Sequence, residues 1–254
     1  METTEITIAL KSDHIHMPLL WLLESGWLTN DMHSLVVKDD LQAIEAIKSG
    51  QATVGLIDPF ALEKENIDNL RVMMLCTDAQ APDILAVSAK RLDEIDYYQL
   101  SPDFYNTLYE HLVDHLMREY YGIQNRYKQD STTLESVELA RILIGKEALE
   151  ITEEYEYTEN LCLAWWIMHG TPLVRSVLYV PEQHMRVQHI INSKLNILSD
   201  FLDQQGPTIA REVSNTTGIA LDKWEVLINS LTLTTSEQAR KGLRQLLSLS
   251  KSKR

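Results

Sequence analysis

Short apolar runs alternate with helical patterns along the first two-thirds of the chain, and this alternation predicts an α/β fold. Apolar runs bounded by turn residues predict strands at 6–10, 34–38, 52–57, 71–76, 84–88, 125–128, 142–144 and 173–180. Apolar residues at helical spacing predict helices at 18–26, 41–48, 106–121, 187–202, 208–216 and 236–248. Strand–helix–strand units of this size indicate parallel pairing with right-handed crossovers.

The last third of the chain carries helical patterns almost throughout, and Gly206-Pro207 predicts a break between two of its helices. This asymmetry indicates two α/β lobes, each a sheet flanked by helices, with a helical C-terminal section that packs back on the first lobe. We predict that the strands at 84–88 and 173–180 connect the lobes. Lobe I then comprises 1–85 with 178–254, and lobe II comprises 86–177.

Apolar stripes on the predicted helices identify candidate core residues. The helix at 41–48 places Leu41, Ile44 and Ile47 on one side, and the helix at 106–121 carries a second stripe that ends at Tyr120. Trp165 and Trp166 are also expected to pack in the core, with one of them under the cleft.

Composition and charge limit the classes of partner. The 254-residue chain is 44% hydrophobic and 24% charged, and its formal net charge is −14. An acidic surface repels phosphate backbones, so nucleic acid is not an expected partner. The N-terminus lacks the features of a signal peptide and no run of about 18 apolar residues occurs, so we expect a cytoplasmic protein that does not associate with membranes.

The sequence contains no recognisable cofactor or metal motif. Cys76 and Cys162 lie in apolar runs and are expected to be buried free thiols. P-loop, dinucleotide-binding, nucleophile-elbow and zinc patterns do not occur. No cofactor is therefore expected.

Four short segments occur in a recognisable order at 52–62, 143–149, 166–177 and 238–243. They read Ala-Thr-Val-Gly-Leu-Ile-Asp-Pro-Phe-Ala-Leu, Leu-Ile-Gly-Lys-Glu-Ala-Leu, a Trp-to-Val stretch with Gly170 and Pro172, and Gln-Ala-Arg-Lys-Gly-Leu. In this order they resemble the chorismate dehydratase family of menaquinone biosynthesis. The resemblance implies a two-lobed type-2 periplasmic-binding-protein fold without an export signal, and a carbon–oxygen lyase activity on chorismate.

The chain departs from this family's pattern at several site positions. Ile15 stands where the family has an active-site Asn, Asp83 stands near the position of a substrate-binding Ser, and Lys146 replaces an Asp. Asn106 and Thr107 stand where the family has a Thr-Ser pair at a helix start. These differences favour binding of a metabolite over the family's reaction.

The polar loop after the first strand supplies the first candidate site residues. Ligands of open α/β sheets bind at the carboxyl ends of strands, so Ser12, His14 and His16 are predicted to face the cleft. They are candidates for binding a polar or anionic ligand beside a helix N-terminus, and exposed loop histidines are the alternative. If the protein is an enzyme, we expect Asp13, His14 or His16 to act as the base.

Charged residues near other strand ends are further candidates. Asp58 follows the third strand and is interpreted either as a ligand contact or as a turn cap. Arg175 interrupts an apolar strand, where it would bind a ligand carboxylate, pair with Asp83 or point into solvent. An unpaired Asp83 would repel a dicarboxylate.

The remaining candidates lie in the predicted second lobe. Ser101, Asn106 and Thr107 flank a helix start, where they would donate hydrogen bonds to a ligand or act as caps. Gly145 follows the strand at 142–144 and is predicted to border the cleft.

The leading functional prediction is a cytoplasmic protein that binds a small polar or carboxylate-bearing metabolite between two lobes. An active chorismate dehydratase-like lyase is the first alternative. A non-enzymatic interaction or regulatory module is the second. A homodimer is compatible with the sequence.

Overall fold

Two mixed β-sheets flanked by helices make up the computed structural model of the protein. The structure describes residues 5–26, 31–64, 73–127, 139–151, 155–182, 184 and 188–251. The strands are β1 Ile6–Lys11, β2 Met32–Val37, β3 Val54–Ile57, β4 Met74–Thr77, β5 Ile84–Ser88, β6 Tyr97–Gln99, β7 Asn125–Arg126, β8 Leu139–Ile144, β9 Tyr157–Asn160, β10 Leu173–Tyr179 and β11 Leu231–Thr234. The helices are α1 Met17–Glu24, α2 Asp40–Lys48, α3 Pro59–Lys64, α4 Leu108–Glu119, α5 Lys146–Leu149, α6 Leu161–His169, α7 Gln188–Thr217, α8 Leu221–Ser230 and α9 Glu237–Lys251.

The first sheet has the strand order β11-β4-β10-β3-β1-β2, and the second has the order β7-β6-β8-β5-β9. β1 pairs in parallel with β2 and β3, as the strand–helix–strand pattern predicts. β10 enters the first sheet antiparallel to β3 and β4. In the second sheet, β5 is antiparallel to β8 and β9, whereas β6 is parallel to β7 and β8. The predicted mixed sheets are therefore present.

The chain passes from one sheet to the other twice. It leaves the first sheet after Thr77 and enters the second at Ile84, and it returns between Asn160 and Leu173. The strands that were predicted to connect the lobes, 84–88 and 173–180, each belong to one sheet, and the connections lie just before them. The predicted boundaries at 85 and 177 consequently fall inside β5 and β10.

The predicted core residues and buried thiols agree with the structure except at three exposed side chains. Asp39 caps α2 by accepting a hydrogen bond from the Gln42 N–H, and Ile44 and Ile47 are buried. Leu41 is 61% exposed because it lies in the first turn of α2, away from the sheet. Tyr120 and Trp166 are likewise exposed, while Trp165 is buried. Both cysteines are buried free thiols, as expected.

The C-terminal third differs most from its prediction. A single helix, α7, continues through Gly206 and Pro207, so the predicted break is wrong. Pro207 is exposed and removes one backbone hydrogen bond, whereas apolar residues on both sides of it keep the helix packed. Helix α8 and strand β11 are additional elements, and β11 extends the first sheet beside β4. Among the described residues, no helix is both long and apolar enough to span a bilayer.

Candidate functional site

A cavity of about 700 Å³ lies where the connections of the two sheets meet. The first sheet contributes the loop after β1 and the end of β3, and the second contributes the end of β8 and the start of α4. The turn between α7 and α8 closes one side. The lining residues are Lys11, Ser12, Asp13, His14, Met17, Asp58, Asp103, Phe104, Thr107, Tyr109, Ile144, Gly145, Lys146, Thr216, Thr217, Ile219 and Trp224.

A buried ion pair stands behind the cavity wall. The two Asp83 oxygens accept hydrogen bonds from Arg175 Nη1 at 3.1 Å and Nη2 at 2.6 Å. Arg175 Nη2 also donates to the Tyr109 hydroxyl at 2.9 Å. Asp83 and Arg175 are both buried, and neither lines the cavity. The structure thus shows Arg175 paired with Asp83, and the interpretation of Arg175 as a solvent-exposed side chain is wrong. Its pairing leaves binding of a ligand carboxylate by Arg175 as an untested prediction.

His14 connects this ion pair to the cavity. Its Nε2 lies 2.7 Å from Asp83 Oδ2, and its ring lines the cavity wall. Burial alone would raise the pKa of Asp83, but the charge of Arg175 and the hydrogen bonds from His14 and Arg175 hold that pKa well below its usual range. Asp83 is therefore an ionised carboxylate that orients the His14 imidazole at the cavity surface.

Gly145 lies directly against the His14 ring. Its φ of +64° belongs to the region that favours glycine, and its N–H donates to the Asp83 carbonyl oxygen at 2.8 Å. A Cβ atom on residue 145 would stand 2.5 Å from His14 Nδ1. The glycine is therefore required by its own backbone conformation and by the close approach of His14.

His16 forms a second, separate chain of contacts. Its Nδ1 lies 2.7 Å from Asp13 Oδ1, and its Nε2 lies 2.7 Å from the Ser176 hydroxyl. The backbone N–H of His16 also donates to Asp13 Oδ1, at 3.1 Å. Burial raises the pKa of Asp13, but the His16 charge and hydrogen bond, with Lys11, lower it further, so the net pKa is far below its usual range. His16 is buried and does not line the cavity.

Asp58 joins elements of the two sheets. Its Oδ1 accepts from the Phe60 N–H at 2.8 Å, and its Oδ2 accepts from the Leu108 N–H at 3.0 Å. Burial and the nearby Asp40 raise its pKa, and the two backbone hydrogen bonds oppose that shift. The turn-cap interpretation of Asp58 therefore describes its main contacts, because both oxygens are occupied by helix N–H groups, although it also borders the cavity.

Lys11 is engaged by acidic neighbours at the end of β1. Its Nζ donates to Asp40 Oδ2 at 2.9 Å and lies 3.8 Å from Asp13 Oδ2. Burial lowers the pKa of Lys11, but the carboxylates of Asp40 and Asp13 raise it above its usual value. Lys11 is consequently charged and already paired with acidic side chains. The sequence did not predict that it lines the cavity.

The residues around the start of α4 have unequal roles. Thr107 lines the cavity and caps α4 by accepting from the Tyr109 N–H at 3.2 Å. Asn106 has a φ of 60°, and its carbonyl accepts from Lys64 Nζ at 3.0 Å. Neither Asn106 nor Ser101 lines the cavity. Capping thus describes Thr107 better than donation to a ligand.

The structure therefore divides the predicted site residues into three groups. Those that line the cavity are Ser12, Asp13, His14, Asp58, Thr107 and Gly145. Those that lie buried behind its wall are His16, Asp83 and Arg175. Ser101 and Asn106 lie outside it. In the described part of the chain, no group of three or more His, Cys, Asp or Glu side chains is arranged to hold a metal ion.

Several lining residues were not predicted. Phe104 and Tyr109 form an edge-to-face pair with ring centroids 5.3 Å apart, and Trp224 borders the cavity from α8. Tyr109 lies three residues after the predicted helix start at Asn106, and this position next to predicted site residues was the one available signal. Trp224 comes from the unpredicted α8, so no local pattern connected it with the cavity.

Solved structures of similar overall shape cover nearly the whole chain. A protein of Archaeoglobus fulgidus, AF1704, superposes with a TM-score of 0.66 and 12% identity over 100% of this chain and 99% of its own. The periplasmic aliphatic sulphonate-binding protein SsuA of Escherichia coli gives 0.63 and 13%, over 98% and 87%. A Candida albicans protein described as having the generic periplasmic-binding-protein fold gives 0.53 and 9%, over 98% and 90%.

The chain has the two-lobed periplasmic-binding-protein fold. This result confirms the predicted fold class. Identities of this size show the fold alone. Neither a protein-family model nor a curated protein sequence matches the chain.

Proposed function

We propose that the protein binds a small polar metabolite in the cavity between its two lobes. The observation that carries this proposal is a cavity of about 700 Å³ lined from both sheets. Small-molecule sites in proteins commonly measure about 300–1,000 Å³ and combine apolar walls with a few polar groups. Met17, Ile144 and Ile219 provide apolar wall here, and Ser12 and His14 provide polar groups.

The sulphonate-binding protein of the same fold supports a small-molecule partner for this chain. Proteins built from two lobes commonly close around a ligand held between them. In this chain, a ligand in the cavity would touch His14 from the first-sheet side and Lys146 from the second-sheet side. Binding would therefore favour the arrangement in which both sides are close.

A carboxylate on the ligand is expected to lie near Lys146. Arg175 is occupied by Asp83, and Lys11 is occupied by Asp40. Lys146 lines the cavity with a side chain that is 69% exposed, and its partner Glu150 is 3.5 Å away at the surface. Such an exposed pair is weak, so Lys146 is free to turn towards a ligand.

A thermal-shift screen against a broad set of polar metabolites tests the proposal. A ligand at about a hundred times its Kd is expected to stabilise the protein by about 2.7 kcal/mol and to raise its Tm. Ser12→Trp would fill part of the cavity and should remove the shift. Ser101→Trp, outside the cavity, should retain it. A screen without any shift, or an equal shift in Ser12→Trp, would contradict the proposal and favour an interaction module.

A dehydratase-like lyase is the second candidate function. His14 favours it, because the ionised Asp83 holds its imidazole at the cavity surface, where a proton-transferring base would be needed. Incubation with chorismate at high protein concentration should then yield 3-enolpyruvylbenzoate, and His14→Gln should abolish it. If no product forms, the lyase activity is excluded, whereas the proposed binding function is unaffected.

The cytoplasmic location stays a prediction. Fractionation of cells that produce the full-length protein, followed by immunodetection, tests it. We expect the protein with cytoplasmic markers. Recovery with periplasmic or secreted markers would contradict this expectation.

A further inference from the structure

We infer that the ligand of this cavity carries an amine or another cationic N–H group that binds Oδ2 of Asp13. This inference rests on the proposed binding function and specifies the class of ligand. It starts from the two oxygens of one carboxylate that borders the cavity.

The two Asp13 oxygens have different surroundings. Oδ1 faces the His16 backbone N–H at 3.1 Å and His16 Nδ1 at 2.7 Å. Oδ2 has Lys11 Nζ at 3.8 Å, beyond hydrogen-bond distance, and that Nζ donates to Asp40 instead. The Asp13 side chain is 34% exposed. One oxygen is thus held by the protein, and the other is available to a donor in the cavity.

The support of Asp13 continues into the core through His16 to Ser176. His16 Nε2 lies 2.7 Å from the Ser176 hydroxyl, and Ser176 is 1% exposed on β10. The order of atoms is that of a hydrolase triad, but the buried Ser176 does not border the cavity and has no access to a substrate. We therefore assign His16 and Ser176 as positioning residues that fix the direction of the Asp13 carboxylate.

The rest of the cavity suits a cation with an apolar body. Asp58, which also lines the cavity, already accepts two backbone N–H groups. The rings of Phe104, Tyr109 and Trp224 border the same space, and aromatic faces attract ammonium groups. Arg175 and Lys11 are paired with Asp83 and Asp40, and His16 lies against Oδ1 of Asp13. Oδ2 of Asp13 therefore has no cationic group within hydrogen-bond distance among the described residues. A ligand ammonium would supply that partner.

Matched sets of small probes test the inference. Each set has an amine, an alcohol and an acid on the same body: phenethylamine, 2-phenylethanol and phenylacetate; tyramine, tyrosol and 4-hydroxyphenylacetate; tryptamine, tryptophol and indole-3-acetate. Ligand-observed NMR and thermal shift give their affinities for the full chain. In at least one set the amine should bind about tenfold more tightly than its alcohol, because a charge-assisted hydrogen bond replaces a neutral one.

Three substitutions locate the effect. Asp13→Asn, which keeps the shape, should reduce the amine's advantage by about tenfold. Asp93→Asn makes the same charge change at an exposed residue paired with Arg91 and should leave it unchanged. Ser176→Ala should weaken amine binding and leave alcohol binding as it was, which a general loss of stability would not do.

Several results would overturn the inference. One is that no set shows a preference for the amine, and another is that Asp13→Asn keeps its full amine affinity. A third is that Asp103→Asn loses as much amine affinity as Asp13→Asn, which would indicate a general negative potential in the cavity and no specific contact with Asp13. Tight binding of an alcohol or acid that Ser12→Trp abolishes would overturn the amine class and leave the proposed binding function intact. If no compound in the wider metabolite screen binds either, the proposed binding function itself is contradicted.

Discussion

Gly145 shows how a single position controls the cavity wall. Gly145→Ala would combine an unfavourable φ with a Cβ 2.5 Å from His14 Nδ1, so His14 would have to move away from Asp83. Gly170→Ala is a matched control, because Gly170 has a φ of +62° and no atom within 4 Å of a new Cβ. We expect the control to lose about 1 kcal/mol of unfolding free energy.

Gly145→Ala should lose at least twice as much as Gly170→Ala and should also bind ligand more weakly. Urea unfolding and ligand titration measure the two effects. Equal losses for the two variants, with ligand affinity unchanged, would show that His14 does not pack against Gly145.

The Asp83–Arg175 pair is the second residue-scale case. Asp83→Asn would leave the buried Arg175 charge uncompensated and should destabilise the protein by about 3–5 kcal/mol, as measured by urea unfolding. Adding Arg175→Gln should recover part of that loss, since no lone charge remains. If the double variant is as unstable as the sum of the single variants, the two residues do not act as a pair.

The pH dependence of this pair has a defined sign. The folded pKa of Asp83 lies below its usual value, so the stabilisation is present above about pH 4 and is lost as the pH falls further. This loss should be smaller in the double variant.

Between secondary-structure elements, a histidine pair at the contact of α4 and α6 should make stability depend on pH in a second range. His115 Nε2 and His169 Nε2 are 3.0 Å apart, and one ring must be neutral to accept a hydrogen bond from the other. Burial lowers the pKa of both histidines, with Glu119 opposing the shift at His115 and the His115 charge adding to it at His169. Their contribution to stability is therefore present above the unfolded pKa of about 6.5 and is lost below it.

We expect the unfolding free energy to fall between pH 7.5 and pH 5.5, and His169→Gln to flatten that decline. His33→Gln, at an exposed position on β2, is the control and should leave the decline as it is. A decline that His169→Gln leaves unchanged would assign the pH dependence to other groups.

Element patterns in the sequence were informative where the local pattern and the tertiary packing agree. Helix α2 and the parallel strands β1, β2 and β3 follow from caps and apolar periodicity. Helix α7 does not, because the propensity of Pro207 is local, whereas the packing that continues the helix is not. Strand β11 is an edge strand of only four residues, and it is recognised by its pairing with β4 in the folded chain.

The candidate site likewise contains residues that local sequence patterns predict and residues that only tertiary packing brings to the cavity. His14 and Asp58 were predictable because they stand at the ends of parallel strands, where ligands bind. The pairing of Arg175 with Asp83 was one of three alternatives, and the sequence could not choose among residues 92 positions apart. The places of Lys11, Phe104 and Trp224 depend on how the two sheets face each other, which apolar periodicity does not encode.

At the scale of the whole molecule, contacts across the two sheets surround the cavity on its inner side. His14 reaches Asp83, Asp58 reaches the Leu108 N–H, and Arg175 reaches the Tyr109 hydroxyl. These polar links join residues of the two lobes, and a ligand bridging Ser12 and Lys146 would add to them. A homodimer stays a prediction, and light scattering at several concentrations tests it.

A crystal structure of the protein with the metabolite that gives the largest thermal shift tests directly whether this cavity binds a ligand. We expect ligand density between the lobes, bounded by Ser12, His14 and Lys146 and absent from crystals of Ser12→Trp. Density for the same compound at another surface, with the cavity between the lobes unoccupied, would show that this cavity is not the binding site.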